Sequence, residues 1–145
     1  MPADIRDRAA DALLVLIPLY HKNVMRAKHT FSGLQIAQYH VLGVLMKHGT
    51  LPMSEIGQRL YISRPYMTAL ADSLIAGGLV ERLPDPCDRR VINIAITEKG
   101  KKHLRHSVTL YKHDLKDRLA LLDTQDLNIL CTTAEELQRI LAKIP

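Results

Sequence analysis

Tryptophan is absent from this 145-residue chain, phenylalanine occurs once and cysteine twice. Two cysteines, Cys87 and Cys131, are too few for a disulfide framework, and neither has a close Cys or His partner of the kind a zinc ribbon requires. Long hydrophobic runs are missing as well. The longest, residues 12–20, has nine residues and contains Pro18, whereas a membrane span needs about 20. Asp4 and Asp7 near the start are wrong for a signal peptide. There is no Gly-rich phosphate loop, no HExxH, no nucleophile elbow and no Cys–His pair at a meaningful spacing. These absences lead to the expectation of a cytoplasmic, non-membrane protein that is not an enzyme and carries no cofactor.

What is present is a chain of 47% hydrophobic and 24% charged residues with both signs mixed, which excludes disorder and suits one packed domain. The net charge of +5 permits an anionic partner without establishing one. Its distribution is uneven. Residues 51–96 carry five arginines against five acids, while residues 97–122 carry seven basic residues against three acidic ones.

Periodicity organises the chain. Residues 4–28 have apolar positions Ile5, Ala9, Leu13, Leu16 and Leu19 at helical steps, with Pro18 expected to kink or restart the helix. Phe31, Ser32 and Gly33 make a break. Residues 34–47 read as a second helix ended by Gly49, and residues 53–60 as a two-turn helix following Pro52. Ser63 is an N-cap for a longer helix that tolerates Pro65 in its first turn and stops at Gly77-Gly78; Met67, Leu70, Ala71 and Leu74 are its apolar stripe.

The period then changes. Residues 79–83 and 91–96, the latter rich in β-branched side chains, flank the turn signal Pro84-Asp85-Pro86 and form a hairpin with a turn of about six residues. Thr97 caps a helix over 98–122, and Asp123 caps a last one with the stripe Leu127, Leu130, Leu137, Ile140 and Leu141. The fold class is therefore mainly α with a small β-hairpin wing: a winged helix-turn-helix over 34–100, flanked by N- and C-terminal helices over 1–33 and 101–145. In such a unit a short helix braces a second whose outer face can enter a major groove.

Several stretches carry a closer likeness: Gln38-Tyr39-His40-Val41-Leu42, Met53-Ser54-Glu55-Ile56-Gly57-Gln58-Arg59-Leu60, the run from Ser63 to Gly78-Leu79-Val80, and Asp85-Pro86-Cys87-Asp88-Arg89-Arg90 leading to Thr97-Glu98-Lys99-Gly100. In this order the chain resembles the MarR-type transcriptional regulators over nearly its full length. The resemblance implies a homodimer built from the terminal helices. It also implies a repressor binding double-stranded DNA at a pseudo-palindromic operator and released by a small-molecule effector. Where the family often has an arginine this chain has Ala69, and another basic residue is missing near Ser73.

Candidate residues follow from both readings. Ser63, Arg64, Pro65, Tyr66, Thr68 and Ala69 lie on or beside the outward face, because Met67 and Leu70 face in; for Arg64 the alternative is a solvated helix-start arginine. The resemblance implies that Arg89 enters a minor groove while Asp88 and Arg90 pair to hold the wing, although an exposed pair contributes only about 0–1 kcal/mol. Cys87 is an exposed turn residue, with thiol sensing as the alternative, and Cys131 is expected to pack as a small apolar residue. Tyr20, His21, Tyr39 and Tyr111 are candidates for a ligand cleft, against the plainer reading of core or interface. His40, His103, His106 and His113 are candidates for metal, against ordinary solvated histidines. Two other functions stay open: a winged-helix protein-interaction module without DNA binding, and a metal- or redox-responsive regulator.

Overall fold

The computed structural model describes residues 4–25, 30–31 and 34–145. The chain forms two compact units, Met1–Thr109 and Leu110–Pro145. Helix α1 (Ile5–Tyr20) begins at Asp4, whose carboxylate accepts the Arg6 amide at 3.3 Å. It runs through Pro18 and widens into a π-helical turn, His21–Met25. The expected kink is thus a change of winding: Pro18 offers no amide to the ladder, and the His21 amide reaches the carbonyls of Ile17 and Pro18. The expected helix beyond residue 25 lies outside the described residues, as do Ser32 and Gly33. Beside them strands β1 (Thr30–Phe31) and β2 (Leu34–Gln35) pair antiparallel.

Helix α2 (Ile36–His48) starts at a reciprocal cap in which Gln35 and Gln38 each satisfy the other's backbone amide. A two-residue strand, β3 (Leu51–Pro52), leads into α3 (Met53–Leu60), and Ser63 caps α4 (Arg64–Ala76). Strands β4 (Val80–Pro84) and β5 (Ile92–Ile96) form the hairpin. The sheet is three-stranded with order β3-β5-β4, because Leu51 faces Ile94 and Pro52 faces Asn93. Proline is tolerated in β3 because the strand is an edge.

The core of the first unit gathers Val41, Leu42 and Leu45 from α2, Ile56 from α3, and Met67, Leu70, Ala71 and Leu74 from α4. Leu79, Val80, Ile94 and Leu104 complete it. Each large aliphatic side chain so buried contributes about 1.5–3 kcal/mol, which holds α4 by its inner face. The Thr97-x-x-Gly100 pattern closes this unit. Thr97 Oγ1 accepts the Gly100 amide at 3.0 Å and donates to the Gly78 carbonyl at 2.7 Å. Gly78 sits at φ 71°, where glycine avoids a Cβ clash, and a Cβ on Gly100 would lie 2.1 Å from the Leu79 carbonyl oxygen.

Helix α5 (Glu98–Leu119) is followed by α6 (Thr124–Leu141), capped by Asp123, which accepts the Asp126 amide at 2.7 Å. Helices α1 and α6 bury no residue within the chain. Cys131, expected to pack, is exposed on α6, since the described residues bury no side chain of that helix. No helix among the described residues is long and apolar enough to cross a membrane.

Candidate nucleic-acid interface

Helix α4 has two chemically distinct sides. Met67, Leu70, Ala71 and Leu74 are at most 3% exposed, whereas Arg64, Pro65, Tyr66, Thr68 and Ala69 are exposed. The Ser63 hydroxyl accepts the Tyr66 amide at 3.4 Å, and the Thr68 hydroxyl donates to the Arg64 carbonyl at 3.0 Å. That bond uses the hydroxyl proton of exposed Thr68 and leaves its oxygen as an acceptor. The Arg64 guanidinium joins no ion pair among the described residues.

The mid-helix is tethered from two directions. Gln38, buried in α2, donates from Nε2 to Ser73 Oγ at 2.7 Å while its Oε1 accepts the Gln35 amide at 2.9 Å. Asp72 pairs with Arg82 of β4, tying the helix to the hairpin. Neither link was legible in the sequence, because each joins residues on different elements. Ser73, where the family resemblance led us to look for a basic residue, is therefore a hydrogen-bond partner of α2.

Arg59 is engaged by Glu55 at 2.8 Å and Arg82 by Asp72, leaving Arg64, Arg89 and Arg90 as exposed guanidiniums in no ion pair among the described residues. Glu81, Asp85 and Asp88 likewise join no ion pair among the described residues, so the segment 51–96 stays neutral and its exposed guanidiniums are distinguished by place, at the start of α4 and in the wing.

The wing turn, residues 85–91, is organised by Asp85. Its carboxylate accepts the amides of Cys87 at 2.9 Å and Asp88 at 3.0 Å, and the side-chain amide of Asn93 at 3.1 Å. These bonds, led by the Cys87 amide and then Asn93, hold the Asp85 carboxyl below its ordinary pKa. An Asp placed before Pro at a turn is a signal for this side-chain-to-amide arrangement, in keeping with the turn expected at Pro84-Asp85-Pro86. The Asp88–Arg90 pairing takes a different form from the one expected. The Asp88 carboxylate accepts the Arg90 backbone amide at 2.9 Å, and no side-chain ion pair joins the two residues. The i to i+2 amide is fixed by the turn, whereas a guanidinium on a long solvated stem gains little by being held. Arg89 and Cys87 are exposed, and the thiol is free.

The remaining candidates scatter. Tyr20 and His21 meet edge to face at 6.3 Å, as do Tyr39 and His40 at 6.1 Å. Burial, and secondarily Tyr20, pushes the Tyr39 phenol above its ordinary pKa. Tyr111 belongs to the second unit and is half-buried there. His40 lines a cavity of about 640 Å³ with Gln35, Ile36, Leu60, Ile62 and Tyr66. His103 is half-buried with an unpartnered Nε2, His106 is exposed, and His113 lies 3.9 Å from Asp117. Among the described residues no three His, Cys, Asp or Glu side chains gather as a metal-binding group, so the four candidate histidines are not brought together within the chain.

Comparison with known proteins agrees with this geometry. The model of the MarR family matches residues 32–91, from the start of the winged unit to the wing. The repressor MdtR of Bacillus subtilis is 40% identical over 68 residues, which is 47% of this chain and 44% of MdtR, so the likeness spans less than half of that relative's length. Among solved structures, YusO of Bacillus subtilis superposes with a TM-score of 0.68 at 27% identity, covering 98% of this chain and 99% of YusO. A MarR family protein of Bacillus stearothermophilus shares the fold at a TM-score of 0.74 and 20% identity, covering 97% of this chain and all of that one at 100%. With its buried α4 stripe, exposed Arg64 edge and Asp85-ordered wing, the winged unit at residues 32–91 matches the MarR family, and the chain shares the fold of that family's solved members.

Proposed function

We propose that the protein is a homodimeric, sequence-specific binder of double-stranded DNA that acts as a repressor at a pseudo-palindromic operator. The observation that carries this reading is the division of α4: its inner face is locked in the core, and its outer face offers Arg64, Tyr66, Thr68 and Ala69, all exposed. A helix held this way can enter a major groove, with Arg64 at its leading end against a guanine edge or a phosphate and Ala69 against a thymine methyl. Arg89 in the wing reads groove width and potential in an adjoining minor groove. MdtR, which the chain resembles over 68 residues, is a transcriptional repressor.

The dimer follows from what the chain leaves uncovered. Leu14, Val15 and Ile17 of α1 are 65%, 61% and 54% exposed, and Ile129 and Leu130 of α6 are 55% and 44% exposed. Apolar surface of this extent on both terminal helices is covered by a second copy, which also sets two recognition helices side by side. A small-molecule effector is accommodated by the cavity lined by His40 and Tyr66, because an occupant there touches the recognition helix itself. The test is selection of duplexes from a random pool by the purified protein, followed by footprinting. Enrichment of a palindrome with half-sites about one helical turn apart supports the reading; no enrichment above input contradicts it and favours the protein-interaction module.

A further inference from the structure

One residue of the winged unit holds a backbone conformation that its own side chain opposes. Tyr61 ends α3 in the left-handed region at φ 54°, ψ 42°, and among the described residues it is the only non-glycine with positive φ. For a bulky L-residue that conformation brings Cβ against the following carbonyl, so glycine or asparagine is the usual occupant. The turn itself requires this backbone. The Tyr61 amide reaches the Gln58 carbonyl at 3.3 Å, the Ile62 amide reaches the Gly57 carbonyl at 2.9 Å, and the chain must then arrive at the Ser63 cap of α4.

The ring returns nothing to the fold, since Tyr61 is 96% exposed. The strain and the exposed aromatic therefore serve something outside the chain. Its place indicates what. Tyr61 rims a surface cavity of about 450 Å³ together with Ser54, Gln58, Arg64 and Thr68, and it lies two residues before the cap of the recognition helix. It thus stands on the same face as the leading end of α4, at the flank where a strand of duplex DNA passes a helix seated in the major groove.

We propose that Tyr61 is a DNA-contacting residue that donates its phenol hydroxyl to a backbone phosphate beside the groove entered by α4. This assignment rests on the DNA-binding reading above. Tyrosine is among the side chains that make such position-fixing, sequence-independent contacts. Being neutral, it grips a phosphate without releasing a counterion. That chemistry suits a segment, residues 51–96, in which Glu55 and Asp72 already engage two of the five arginines.

The test measures affinity across a salt series for a duplex selected by the parent protein and for a random duplex of equal length. The proteins compared are the parent, Tyr61→Phe, Tyr61→Gly and Arg64→Ala. Tyr61→Phe and Tyr61→Gly should each weaken both duplexes by about tenfold, two symmetric contacts each worth a few-fold, with the salt slope unchanged. Tyr61→Gly should melt no lower than the parent, because the positive φ is native to glycine, which separates lost contact from lost fold. Affinity within about twofold of the parent for both Tyr61 variants overturns the proposal. Loss in Tyr61→Gly but not in Tyr61→Phe also overturns it, since the ring and not the hydroxyl would be in use. If the parent binds and only Arg64→Ala weakens it, the Tyr61 assignment fails alone. If the parent binds no duplex, the DNA-binding reading fails with it.

Discussion

Helices α4 and α6 are built alike and end in opposite circumstances. Each starts at a side-chain cap, Ser63 or Asp123, and each repeats apolar residues at three- and four-residue steps. Yet α4 brings Met67, Leu70, Ala71 and Leu74 to 3% exposure or less, while α6 buries none of its residues. An amphipathic stripe states that a helix needs a partner; it does not state which chain provides one. The winged unit supplies its own partners through α2, α3 and the sheet, so its outer face is free for DNA. The last helix keeps its apolar side chains exposed, and in the proposed dimer a second copy covers them.

Breaking α6 is expected to have the largest effect. Deleting residues 123–145, or placing a charge at Leu130 by Leu130→Glu, should abolish dimerisation and lead to aggregation or unfolding, since terminal stripes without cover cannot be hidden by the chain itself. Light scattering and sedimentation check this. A soluble monomer at micromolar concentration with unchanged DNA affinity would remove the second copy from the comparison.

The winged unit should fail in a different way. Gly100→Ala drives a methyl into the Leu79 carbonyl, where the separation without rearrangement is 2.1 Å. The expected loss is about 1–3 kcal/mol or more in urea unfolding, because backbone cannot yield as a flexible side chain can. Unchanged stability would mean that α5 shifts on the sheet at no cost.

Functional substitutions come next in size. Arg64→Ala should cost about 1–3 kcal/mol per half-site and relax preference at one symmetric position if its contact is bidentate to guanine. Arg89→Ala should weaken most sequences alike and reduce the magnitude of the salt slope by up to about two for the dimer. With Ala69 in place of a basic residue and Arg59 and Arg82 spent on Glu55 and Asp72, the parent's slope should already be shallow. Binding isotherms over a salt series separate these outcomes.

Asp85 makes the wing sensitive to acid. Its folded-state pKa lies below the ordinary value of 3.8, owing to the Cys87 amide, Asn93 and the Asp88 amide. A depressed folded pKa means that its stabilisation is present above the unfolded value and is lost as pH falls through the folded one. The amide resonances of Cys87 and Asp88 should therefore hold steady down to about pH 4 and move together below it, and Asp85→Asn should shift them at neutral pH. Cys87→Ser should have the smallest effect. The thiol is exposed and only its backbone amide is engaged, so DNA binding should be the same with or without peroxide.

The sequence disclosed local features and hid those that depend on distant partners. The 53–60 helix matched residue for residue, because Pro52 starts it and Ile56 and Leu60 share a face. The Ser63, Thr97 and Asp123 caps are equally local. The outward face of α4 followed from Met67 and Leu70 alone. Strand β3 did not, since two residues that include a proline show no alternation and become a strand only against Ile94 and Asn93. Gln38–Ser73 and Asp72–Arg82 were hidden for the same reason. Cys131 differs from its expected packing because α6, on which it lies, buries none of its residues among those described.

The most direct test of the contrast between α4 and α6 is the mass of the protein on its selected duplex, measured by sedimentation. Two chains per duplex are expected, with two chains also in the absence of DNA, because α6 is covered by the partner copy before α4 meets its groove. A single chain on the duplex, or no complex at any salt concentration, would contradict it.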